Sequence, residues 1–163
     1  MAGLGPEVAA QLASVPRGNT QKHVNRDVLA YLHQLEQTQR WGRVVTITSF
    51  HGREGGGRPW FNMAKTAETA LMKNLAMNPA LARDGIVFTS VAPGCVMIPD
   101  TGWDAERKKD PVAFQQMTDV RFPLGRLGTP EEVADVVAFA CSARASLLGG
   151  AAIAVDGAES RAF

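Results

Sequence analysis

The 163-residue chain predicts an α/β fold, a parallel sheet flanked by helices. Two observations predict it. Short runs rich in β-branched residues alternate with longer runs of helical periodicity, in the order helix, strand, helix, strand, helix, strand. Strands separated by helices close into right-handed β-α-β units, whose strands lie parallel. The hydrophobic content of 45% supplies one core, so residues 1–163 read as a single domain without internal repeats.

Residues 1–19 are small and turn-rich, with Gly3, Gly5, Pro6, Pro16 and Gly18, and form an irregular segment with room for a short helix at Glu7 to Ala13. A firmer helix is predicted from about Thr20. Val24, Val28, Leu32 and Leu35 recur at three- to four-residue spacing and make one apolar stripe. Gly42 follows that helix, and the first strand begins at Arg43, where Val44, Val45 and Ile47 suit a buried position. A glycine-rich loop runs from His51 to Pro59. The next helix spans about Trp60 to Met77, with Ala64, Ala67, Leu71 and Leu75 on one face, and ends or kinks at Asn78-Pro79. After the turn at Asp84-Gly85, a second strand runs from Ile86 to Val91 and stops at Pro93-Gly94. Residues 97–122 form a long excursion of weak periodicity with a short helix near Pro111 to Val120. Thr129-Pro130-Glu131-Glu132 is a helix start with cap, N1 proline and capping box. Val133, Val136, Val137 and Ala140 then face a core. Gly149-Gly150 turns the chain into a third strand, Ala151 to Val155.

A net charge of +1 provides no electrostatic pull towards nucleic acid or an acidic membrane. The mixed run Glu106-Arg107-Lys108-Lys109-Asp110 reads as a solvated face. Cys95 and Cys141 lack the spacing of a metal site or a disulfide framework and read as buried thiols of a reduced, cytoplasmic protein. No run is long and apolar enough to span a membrane, and the N-terminus lacks the pattern of a secretory signal. No metal is expected.

Five motifs stand in an order that resembles the C-terminal part of the short-chain dehydrogenase/reductases. They are the serine-ended strand Gly42 to Ser49, the run Phe61-Asn62-Met63-Ala64-Lys65, and the strand Ile86 to Val91 with its Ala92-Pro93-Gly94 turn. The fourth is the segment Pro123 to Val133, and the last is Gly149-Gly150 through Val155-Asp156-Gly157. The resemblance covers about three quarters of the chain. It implies a partial Rossmann-type parallel sheet lacking the N-terminal dinucleotide-binding β-α units, because only one helix and no convincing strand precede the Ser49 strand. It implies NAD or NADP as cofactor. The glycine turn that would hold the pyrophosphate at a helix N-terminus is absent. Gly3-Leu4-Gly5 has no strand before it, and Gly55-Gly56-Gly57 lies where the family has a loop.

The resemblance also implies roles. Ser49 orients a substrate carbonyl, Lys65 lowers a neighbouring pKa and holds the ribose, and Pro93, Gly94 and Val96 lie beside the nicotinamide. In the family, position 61 is a tyrosine that exchanges the proton. Phe61 has no ionisable proton. Tyr31, the sole tyrosine, lies on the first helix. His51, two residues after Ser49, is of the residue type that changes charge near neutrality, but a loop histidine without a partner reads first as exposed. Ile98 stands where a threonine that contacts the cofactor is common. The segment Asp100 to Phe122 matches the family's variable substrate loop, in which Trp103 either lines a pocket or packs on the core. The expected activity is hydride transfer between a nicotinamide cofactor and a small carbonyl or alcohol, in a shortened chain inactive or impaired alone. The alternatives are a non-catalytic interaction or oligomerisation module, or a fragment of a longer enzyme. A homo-oligomer, or pairing with a related chain, is the expected partner.

Overall fold

A computed structural model of the chain describes residues 41–162. The helix expected from Thr20, the short one near Glu7 and the Tyr31 position lie outside that range. Strand β1 (Gly42–Ile47) leads through a 3-10 turn (Phe50–Gly52) into helix α1 (Pro59–Ala76). A five-residue helix α2 (Pro79–Arg83) precedes strand β2 (Ile86–Pro93). Helices α3 (Gly102–Lys109), α4 (Pro111–Arg121) and α5 (Pro130–Ala140) follow, then a second 3-10 turn (Ala143–Ala145) and strand β3 (Ala152–Val155).

The described strands form one parallel sheet in the order β1-β2-β3. Gly42 registers with Ile86 and Ile47 with Val91, while Ser90 to Pro93 register with Ala152 to Val155. The central strand is buried on both faces, as a strand covered by helices on each side must be. Phe88 and Val91 are fully buried. One core cluster joins Val44, Ile86 and Phe88 of the sheet to Met72 and Leu75 of α1 and Leu81 of α2. This cluster fixes α1 across β1 and β2. Asn78 both ends α1 and caps α2, its side-chain oxygen accepting from the Ala80 N–H at 3.0 Å.

The excursion at 97–122 is more ordered than its weak periodicity suggests. It holds two helices, α3 and α4, with Trp103 packed edge-on against Phe114 and Phe122 at 6.4 Å. Of the two expectations for Trp103, the packing one holds. The mixed-charge run is also not merely a solvated face. Arg107 and Lys108 converge at 2.7 Å on the buried carboxylate of Asp104. Lys108, the Asp100 N–H and Arg107 hold that carboxyl well below the usual range. An eight-residue helix is too short for a stripe to show in sequence, so its buried partner decides its place. Cys141 corrects another expectation: it is exposed at the C-terminus of α5. No helix among the described residues is long and apolar enough to cross a membrane.

Candidate active site

The C-terminal ends of β1 and β2 converge with the first turns of α1. In a parallel sheet these ends are where connections open and ligands enter. Ser49 stands just past β1, buried, as the cap of the 3-10 turn, and its Oγ accepts from the His51 N–H at 3.2 Å. The Ser49 hydroxyl proton stays available for another acceptor. Gly52 then lets the turn press against α1. A methyl group there would lie 2.9 Å from the Lys65 carbonyl oxygen, a backbone atom that cannot yield. Thr66 Oγ1 ties the contact by donating to the Gly52 carbonyl at 3.1 Å. The residue that sets Ser49 against the Phe61–Lys65 turn is therefore a glycine outside both motifs.

Lys65 donates to the Ile47 carbonyl at 3.0 Å and pairs with Glu68 at 2.8 Å. Its ammonium stands 5.9 Å from the centre of the Phe61 ring. Phe61 is half-buried and meets the His51 ring edge-on at 6.2 Å. His51 thus joins the two motifs, through its backbone to Ser49 and through its ring to Phe61. It is half-buried rather than exposed, with the ring laid on Phe50 at 4.0 Å. Sequence reading missed this because the packing partners lie on the next helix.

On the β2 side, Gly94 permits the tail to close in. An added methyl group there would lie 2.8 Å from both Asp156 Cβ and Glu159 Oε2. The Glu159 carboxylate accepts from the Cys95 N–H at 2.6 Å and from its thiol at 3.0 Å. Burial, with Glu159 beside it, pushes the Cys95 thiol up to about 12, so it remains protonated and unreactive at neutral pH. The same tail reaches the loop after β1. Glu54 Oε2 accepts from Ser160 Oγ and from the Arg161 and Ala162 N–H groups at 2.9 to 3.1 Å. Residues 156–162 therefore strap the β2 end of the site to the β1 end. Ile98 is exposed, and its carbonyl accepts from the Thr101 N–H and hydroxyl.

The residues after Pro93-Gly94 fit a carboxamide. Val96 bridges Gly128 in parallel, with Met97 N–H donating to the Gly128 carbonyl at 2.8 Å and Gly128 N–H to the Cys95 carbonyl at 3.0 Å. In that pattern the bonds run from the neighbours of Val96, and its own N–H and C=O face the opposite side. One donor beside one acceptor matches an amide. Among the described residues nothing fits a pyrophosphate. At Gly57 the space beside the backbone is taken by the His51 and Asn62 side chains, and α1 opens on Pro59, which has no N–H.

A family model described as enoyl-(acyl carrier protein) reductase matches residues 7–158. The 3-oxoacyl-[acyl-carrier-protein] reductase of Aquifex aeolicus is 38% identical over 120 residues, 73% of this chain and 45% of that protein. An L-rhamnose 1-dehydrogenase (NAD(P)(+)) of a Sphingomonas species is 33% identical, over 80% of this chain and 49% of its own length. An oxidoreductase of the short chain dehydrogenase/reductase family from Burkholderia thailandensis superposes with a TM-score of 0.71 at 26% identity, over 97% of this chain and 57% of that one. The chain spans about half the length of the curated relatives it matches.

Proposed function

The chain belongs to the short-chain dehydrogenase/reductase family, and from that premise we propose that it forms the nicotinamide and substrate side of an NAD(P)-linked oxidoreductase acting on a small carbonyl or alcohol. The observation that carries this reading is the convergence of Ser49, Lys65 and the outward-facing N–H and C=O of Val96 at one end of a parallel sheet. Ser49 would donate its hydroxyl proton to a substrate oxygen. The Val96 N–H and C=O would hold the carboxamide, as would the Pro93-Gly94 turn that shapes its approach. Lys65 would leave Ile47 and Glu68 to reach a ribose hydroxyl. A bound nicotinamide would supply hydride exchange. Proton transfer would be impaired, because Phe61 places a hydrocarbon where the reaction needs a titratable group.

The test is a titration of the full chain with NADH and NADPH, followed by nicotinamide fluorescence. Saturable binding that weakens at least tenfold in Val96→Pro, which lacks the amide N–H, is expected; no binding to either nucleotide sinks the reading. Two observations favour self-association beside it. Among the described residues β1 has a neighbour on one side only, and Trp60 and Met63 of α1, with Met77 just past its end, are more than half exposed. We infer that a second copy covers them.

A further inference from the structure

The chain after β3 crosses the carboxyl ends of the strands in the order β3, β2, β1. Asp156 directly follows β3. Glu159 accepts from the Cys95 N–H and thiol just past β2. Glu54, in the loop after β1, then gathers three donors on one carboxylate oxygen: Ser160 Oγ, the Arg161 N–H and the Ala162 N–H. Hydrogen bonds to a charged acceptor are the strong ones, so this tie fixes the far end of the crossing.

The bend that starts the crossing is made by Gly157 and Ala158, at φ of 58° and 65°. Gly157 suits its place, because it has no Cβ and a methyl group there would lie 2.6 Å from Leu124 Cδ1. Ala158 does not, because a left-handed alanine brings its Cβ against the following carbonyl oxygen. Such a residue persists only where its surroundings hold it. Here Asp156 accepts from the Ala158 N–H at 3.0 Å and from the Ser160 N–H at 3.2 Å, and the ties to Glu159 and Glu54 fix the rest. Loss of those ties lets Ala158 return to ordinary backbone geometry and swings the tail away. In the tied form Ser49 is only 8% exposed, so a substrate oxygen reaches its hydroxyl only after a covering segment moves.

We propose that residues 157–162 are a hinged strap, latched by Glu54, whose release opens this end of the sheet to nucleotide and substrate. Gly157 and Ala158 are the hinge, and Glu54 with its three donors is the latch. Glu159 travels with the strap, so the Cys95 N–H loses its acceptor whenever the latch opens. Which ligand enters rests on the oxidoreductase reading above; the hinge and the latch do not. Ligand binds only the open fraction of chains, and its association is slowed by that fraction.

The experiment uses the full chain and two variants that act at opposite ends of the strap. Glu54→Ala removes the latch and keeps the backbone carbonyl that Asn62 bonds. Ala158→Pro forbids the bend, because its ring fixes φ at about −65°. Amide–water exchange by NMR reads the strap, and amides of β2 protected as in the wild type show an intact fold. Arg161 and Ala162 are expected to exchange about tenfold faster in Glu54→Ala, and so is Cys95, whose N–H bonds Glu159 rather than Glu54. Ala158→Pro is expected to give the same three changes. Faster exchange confined to residues 161 and 162 in Glu54→Ala would show a local bond and overturn the strap, as would wild-type exchange in both variants. Stopped-flow NADPH fluorescence reads entry. Both variants are expected to bind NADPH about tenfold faster than the wild type, and equal rates in all three overturn the gating role. Failure of all three to bind NADPH sinks the oxidoreductase reading instead, and exchange at Cys95 still decides whether the strap opens as a unit.

Discussion

At position 61 one oxygen atom separates a hydrocarbon ring from a tunable acid. The setting for such an acid is largely intact. Lys65 lies 5.9 Å from the ring centre, close enough to stabilise a phenolate, and Ser49 is held two residues from the histidine that touches the ring. General acid–base groups contribute about 10²–10⁴-fold to rate. Phe61→Tyr is therefore expected to raise NADPH-linked turnover of a carbonyl substrate by about 100-fold, measured beside the wild type at equal nucleotide saturation. An unchanged rate in a variant that binds NADPH as the wild type does would show that position 61 is not where proton transfer is limited. Residue identity in the frame was legible in sequence. The role of Gly52 was not, because a close backbone approach is a property of two segments and leaves no mark in either alone.

Helix α5 shows how far a local signal can reach. Thr129 Oγ1 accepts from the Glu132 N–H at 3.3 Å, and the Glu132 carboxylate accepts from the Thr129 N–H at 2.8 Å, completing the expected capping box. Arg126 adds a fork onto the same carboxylate at 2.7 and 3.0 Å. Arg126 and the Thr129 N–H together hold the Glu132 carboxyl at about 2. Its pKa is thus depressed from an ordinary value of about 4.3, so its contribution is full above that value and is lost as pH falls towards 2. Thr129→Ala removes the hydroxyl half of the box and is expected to cost about 1 kcal/mol in urea unfolding at neutral pH. A midpoint unchanged within error would mean that Pro130 and the Arg126 fork suffice to start the helix. Helices α3 and α4 were harder to read. Their order depends on the buried Asp104 and on Trp103 between Phe114 and Phe122, contacts made across the excursion rather than along it.

At the scale of the whole molecule, the parallel sheet directs its polar loops to one end, and among the described residues β1 and β3 each have a strand neighbour on one side only. The outward backbone groups of β1 at Arg43, Val45 and Ile47 face away from β2, and the Ile47 carbonyl is met by Lys65. Multi-angle light scattering is expected to give a mass of at least two chains, and Met63→Glu, on the exposed face of α1, to lower it. A monodisperse single-chain mass in the wild type would remove the assembly reading. The order of strands and helices, the capped start of α5 and the serine-to-lysine frame followed from the sequence alone, because each rests on residues near one another in the chain. The tertiary structure decided what faces what. It moved His51 from an exposed loop to a half-buried place against Phe50 and Phe61, and it closed Glu159 on Cys95 and Glu54 on the tail. Those pairings join segments far apart in sequence, and the cost of leaving a buried polar group unmatched is felt only once the chain has folded them together.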